Sequence, residues 1–123
     1  MTPTLTPKEI AGYAVRALDS KKAVGIKLLR TTDVTILADF FVICTASSTT
    51  QQKTLTDEVE KVLKEAGENP LRREGSKTGG WLLIDFGCVV VHIFLEEARE
   101  FYTLERLWGD AEDIDITDIL QQA

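Results

Sequence analysis

The sequence predicts an α/β (α+β) fold: a mixed sheet of about five strands with helices packed on it, in the order αββαβββα. Three observations carry this. Two stretches hold apolar residues at helical spacing, Ile10, Ala14, Ala17 and Leu18 in one and Leu55, Val59, Val62, Leu63 and Ala66 in the other. Between and after them stand short aromatic and β-branched runs, residues 40–45, 81–84 and 89–94, nearly continuous in apolar character instead of alternating with polar residues. Such strands need both faces of their sheet covered, one by helices and the other open to cover by helices too. Finally, strand, helix and strand follow one another, which implies a right-handed crossover.

Taken in order, Thr6-Pro7-Lys8-Glu9 is a helix start. Thr6 caps, Pro7 suits the first helical position, and Glu9 sits where a capping box places its acid. Residues 19–22 end that helix. Residues 23–29 read as a strand with Lys27 facing away from the core, and residues 31–38 connect it to a buried strand at 40–45 that pairs with it antiparallel. Ser48-Thr49-Thr50-Gln51 is a second capping-box pattern, and Gly67 closes the helix it opens in a left-handed conformation.

Asn69-Pro70 turns the chain into a short strand at 71–74, predicted parallel to the strand at 40–45. Residues 76–80 form a flexible connector into a hairpin, whose turn Asp85-Phe86-Gly87-Cys88 relies on a positive φ at Gly87. Residues 96–108 form one or two short helices. Beyond Gly109 the chain is acidic, with isoleucines at alternate positions, and either docks locally or stays mobile.

A chain of 123 residues has room for one domain. It is expected to span residues 1–110, with 111–123 as an acidic C-terminal tail. Hydrophobic residues make up 44%, enough for a core without metal or disulfide staples. Two cysteines, Cys44 and Cys88, lie among apolar residues, and such cysteines behave as small buried hydrophobes. A reducing, cytoplasmic setting fits. No stretch approaches the ~20 apolar residues of a membrane span, and the first residues lack the basic and apolar regions of a signal peptide. The net charge of −6 argues against a broad phosphate-binding surface, so little or no direct nucleic-acid binding is expected and an electrostatic partner is more readily basic.

Few residues point to chemistry. Asp39 and Asp85 flank strands and can be read as a carboxylate pair for a divalent cation or as caps of the turns they border. A metal-dependent nucleotidyl transfer site needs two acids at alternate positions on one strand, and Ala38-Asp39-Phe40-Phe41 offers one. His92, the sole histidine, sits in an apolar strand with no nucleophile partner, as a structural histidine bonded to a carbonyl or an acid does. Cys44 and Cys88 read as packing and not as a redox pair. Gly79-Gly80 completes no phosphate loop, and Arg72, Arg73 and Lys77 read as a solvated face. The aromatics Trp81, Phe101, Tyr102 and Trp108 all fall in the last third, where a small core needs only some of them. They serve either the core or a protein-binding face rimmed by Arg99 and Arg106, since Trp and Tyr dominate binding hot spots.

Residues 38–45 (ADFFVICT), 70–75 (PLRREG), 81–87 (WLLIDFG), 89–94 (VVVHIF) and 99–110 (REFYTLERLWGD), in this order, resemble the ribosomal silencing factor, or Iojap, family. The likeness spans roughly residues 6–110. One departure is Cys88, where the family usually carries aspartate. The resemblance implies a nucleotidyltransferase-like fold without the transferase chemistry, no metal and no cofactor.

It further implies a translational repressor that binds the large ribosomal subunit through its protein fourteen and blocks association with the small subunit, slowing translation under nutrient limitation. By the family pattern the contact residues are Trp81, Tyr102, Leu104, Arg106, Leu107 and Trp108, with Arg99 and Glu105 beside them. The resemblance also implies a tendency to form homodimers. The alternative from the residues alone is a small metal-dependent nucleotidyltransferase using Asp39 and Asp85.

Overall fold

Alternation along the strands sorts their side chains onto two faces, and the helices cover one of them. A computed structural model describes residues 5–32, 38–75, 80–96, 98 and 111–121. Within these, α1 (Pro7–Ser20), β1 (Val24–Arg30), β2 (Phe40–Ala46), α2 (Thr49–Glu65), β3 (Arg72–Gly75), β4 (Trp81–Asp85), β5 (Val89–Leu95), β6 (Glu112–Ile114) and α3 (Thr117–Gln121) follow in sequence. The strands form one sheet in the order β3-β4-β5-β2-β1-β6. Only β2 and β5 pair in parallel; the other neighbours are antiparallel. β3 runs in the direction of β2, as the crossover requires, but β4 and β5 lie between them.

On the helix side, Val42 and Cys44 of β2 and Val89, Val91 and Ile93 of β5 pack with Ile10, Ala14 and Leu18 of α1 and Leu55, Val59 and Leu63 of α2. Each such Leu, Ile or Val, fully buried, contributes about 1.5–3 kcal/mol by leaving water. The opposite face carries a second cluster, Leu29, Phe41, Ile43 and Phe94, against which Trp81, Val90 and Ala98 pack. Both faces of the central strands are thus buried, which is why their sequences show no polar alternation. Lys27 points away from the core, as expected, and pairs with Asp113 at 3.2 Å.

The capping box of α1 forms as predicted: Thr6 Oγ1 accepts from Glu9 N at 3.1 Å and Glu9 Oε1 accepts from Thr6 N at 2.9 Å. The box of α2 is displaced. Ser48 Oγ accepts from Gln51 N at 3.1 Å, but Gln51 Oε1 turns to Ser47, taking its N–H at 2.6 Å and its hydroxyl at 2.8 Å. The cause is the other end of the amide, whose Nε2 donates to the carbonyls of Lys21 and Lys22, both at 3.2 Å. Gln51 therefore ties the mouth of α2 to the end of α1. Gly67 closes α2 at φ +99°, and Gly87 makes the hairpin turn at φ +89°.

The sheet has six strands where about five were expected. The sixth, β6, comes from the acidic stretch, which docks against β1 with Ile114 opposite Leu28 on the helix side. Arg30 and Glu112 pair across this edge at 3.6 Å, while Ile116 and Ile119 pack against the core beside α1. Asp115 Oδ1 accepts from Thr117 N at 2.9 Å and starts α3. Of the helical stretch expected at 96–108, Glu96 and Ala98 are helical and the remainder lies outside the described residues.

Candidate partner-binding site

The face opposite the helices is built by register. In the hairpin, Trp81 stands across from Phe94 and Leu83 across from His92, so all four side chains share one face. The indole of Trp81 stacks on the Phe94 ring, with centroids 5.4 Å apart and planes inclined by 22°. Its Nε1–H donates to His92 Nδ1 at 3.1 Å. Phe41 meets the His92 ring edge-on at 4.8 Å. Aromatic contacts of this kind are worth about 0.5–1.5 kcal/mol beyond their buried area. Trp81 is held in plane by the stack and in rotation by the hydrogen bond.

His92 is 5% exposed, and burial lowers its pKa from the ordinary 6.5 to about 4, against a small upward pull from Asp85. It is neutral at pH 7. An indole N–H can only donate, so Nδ1 is the bare nitrogen and the ring proton sits on Nε2. That Nε2 is buried with no hydrogen-bond partner among the described residues, at a cost of about 1–3 kcal/mol. The expected carbonyl or acid partner for His92 is replaced by an indole, because β-pairing places Trp81 diagonally beside it and leaves no carboxylate on that face within bonding distance among the described residues.

Beside Trp81 the face opens into a groove of about 240 Å³ lined by Glu74, Gly75, Trp81 and Leu83. Its outer rim is the edge strand β3, whose residues are all exposed. Gly80, expected in a flexible connector, is instead a close-packed position whose carbonyl accepts from Leu95 N at 3.0 Å. Of the predicted contact residues, Trp81 lies on this face. Tyr102, Leu104, Arg106, Leu107 and Trp108, together with Arg99, Phe101 and Glu105, lie outside the described residues. Sequence reasoning missed the pairing of His92 with Trp81; the signal that could have found it is the register counted back from the turn at Gly87.

The acids are caps and ion-pair partners. Asp85 Oδ1 accepts from Gly87 N at 2.7 Å and Oδ2 accepts from Arg72 Nε at 3.0 Å, so both oxygens are engaged. Asp39 Oδ1 lies 3.5 Å from the Thr32 hydroxyl. Among the described residues no three of His, Cys, Asp and Glu converge to hold a metal. Arg72 also pairs with Glu74 at 2.9 Å, and Arg73 with Glu60 at 3.0 Å, while Lys77 lies outside the described residues. Cys44 and Cys88 are both free, the first buried and the second half-buried in the turn, where burial, then Asp39, Glu68 and Asp85 nearby, push its thiol pKa up. No described helix is long and apolar enough to cross a membrane.

The sequence profile described as "Ribosomal silencing factor during starvation" matches residues 4–123. The chain belongs to the ribosomal silencing factor family. A "Ribosomal silencing factor RsfS" from Halalkalibacterium halodurans is 38% identical over 116 residues, covering 94% of this chain and 99% of that one. A crystal structure of a Chromobacterium violaceum protein superposes with a TM-score of 0.82 at 38% identity, covering 85% of this chain and 88% of the other. A more distant relative from Mus musculus, "Mitochondrial assembly of ribosomal large subunit protein 1", is 37% identical over 73 residues, 57% of this chain and 32% of the mouse protein. The match to the silencing factor profile takes in residues 111–121, the strand and helix at the sheet edge, as well as the aromatic hairpin.

Proposed function

We propose that this silencing factor represses translation by binding the large ribosomal subunit through its protein fourteen and occupying the surface on which the small subunit would dock. It acts by occlusion and not as an enzyme, in the cytoplasm, with neither metal nor cofactor. The observation that carries the reading is the aromatic face: Trp81 is a large side chain fixed by Phe94 and His92 at the rim of an open groove, the arrangement of a hot spot that loses little freedom on binding. Tyr102, Leu104, Arg106, Leu107 and Trp108 complete the contact. A net charge of −6 favours docking on a basic ribosomal protein over bare RNA. The names carried by the relatives, a silencing factor and a large-subunit assembly protein, support a large-subunit partner.

The test is cosedimentation with isolated large subunits, followed by addition of small subunits. Comigration with large subunits and failure of whole ribosomes to form is the expected result; protein left at the top of the gradient rejects the reading. The transferase alternative has no support in the acids, since Asp85 spends both oxygens on Gly87 and Arg72.

A further inference from the structure

We propose that His92 is a positioning residue for the partner-binding face, holding the Trp81 indole in its binding orientation through the Nε1–H···Nδ1 bond. The proposal rests on the reading of Trp81 as a contact residue. Phe94 stacks under the indole and restrains its plane, but a stack is not directional within that plane. The 3.1 Å hydrogen bond to His92 Nδ1 is a directional restraint on the indole. Restraint on His92 itself comes from Phe41 at 4.8 Å and from Phe94, whose ring lies within 9° of parallel to the imidazole.

A phenylalanine would fill the same apolar site without burying an Nε2–H that has no partner among the described residues. The imidazole therefore carries a polar cost that packing does not require, and what it supplies in return is an acceptor aimed at the indole. Restraining a contact side chain before binding lowers the ordering cost of association, so the benefit falls on affinity. Burial keeps the ring neutral and Nδ1 bare at pH 7.

The test compares His92→Phe, which keeps the ring and removes the acceptor, with His92→Asn, whose amide oxygen can accept near the Nδ1 position. The readouts are the indole N–H resonance of Trp81, assigned through Trp81→Phe, and cosedimentation with large subunits. In folded protein, His92→Phe is expected to shift the indole resonance and speed its exchange with water, and to weaken subunit binding about fivefold, while His92→Asn recovers most of both. An unmoved resonance, or a moved resonance with full binding, overturns the proposal.

If His92→Phe does not fold, Trp81→Phe decides from the other side. It should change the ring-nitrogen signals of His92, and unchanged signals refute the bond. The underlying reading fails separately: if folded Trp81→Ala binds like the wild type, Trp81 is no contact residue, and if the wild type does not sediment with large subunits the ribosome reading falls, whatever the indole resonance does.

Discussion

A Cβ placed on Gly80 would lie 2.9 Å from the Cβ of Ala98. Carbon atoms do not approach so closely, and Gly80 is held in place by its carbonyl, which caps the end of β5 at Leu95. Gly80→Ala is therefore expected to destabilise the protein by about 1–3 kcal/mol, the usual cost of overpacking. The double variant Gly80→Ala/Ala98→Gly should recover most of that loss in urea unfolding. Additive losses would show that the strain lies elsewhere.

The depressed pKa of His92 makes stability depend on pH with a definite sign. In the unfolded chain the ring takes up a proton near pH 6.5, whereas in the folded protein it does so only near 4. The unfolded state then binds more protons in between, so this contribution is complete above pH 6.5 and is lost as pH falls toward 4, about 3 kcal/mol in all. Urea titrations at pH 7, 5.5 and 4.5 should show it, and folded His92→Phe should lack that part of the slope. Asp85, paired with Arg72, is the charged group that bears on the ring among the described residues and pulls slightly the other way.

Gln51→Ala removes an acceptor from Ser47 and a double donor from the carbonyls of Lys21 and Lys22. These groups regain water, so the loss should be about 1–2 kcal/mol and not the sum of all four bonds. Gln51→Glu keeps the acceptor and loses the donor, and thermal unfolding should place it between alanine and the wild type.

At the sheet edge, apolar contact should outweigh charge. Lys27 and Asp113 are both substantially exposed, and such pairs contribute about 0.2–1 kcal/mol at most. Asp113→Asn should thus change the unfolding midpoint little, and less still in 0.5 M salt. Ile114→Ala, which strips the residue facing Leu28, should cost about 1–2 kcal/mol, since Ile114 is only partly buried. Equal effects from the two would reverse this ranking.

Local signals were legible because their physics is local. The capping box at Thr6 and Glu9, the stripe from Leu55 to Leu63 and the turn at Gly87 each involve residues within a few positions of one another, and each formed where read. What was not legible depended on partners far along the chain. Gln51 matches a capping box, but the carbonyls of Lys21 and Lys22 pull its amide one residue aside. The insertion of β5 between β4 and β2 is a choice of neighbour that no run of valines specifies. The strand at Glu112–Ile114 is three residues long with two exposed, too short for alternation to declare it. At the candidate site, Trp81 was singled out by its residue type and by family likeness, whereas the pairing of His92 with Trp81 depends on strand register.

The edge formed by β6 also bears on how the sheet is completed during synthesis. Lys27 and Asp113 are separated by 86 residues, so β1 keeps an open edge while every other strand of the sheet is being made. Pairings between segments so distant in sequence are the ones that slow folding. During synthesis the growing chain therefore shows an unsatisfied strand, with Leu28 and Leu29 on its two faces, until residues 112–114 arrive to seal it.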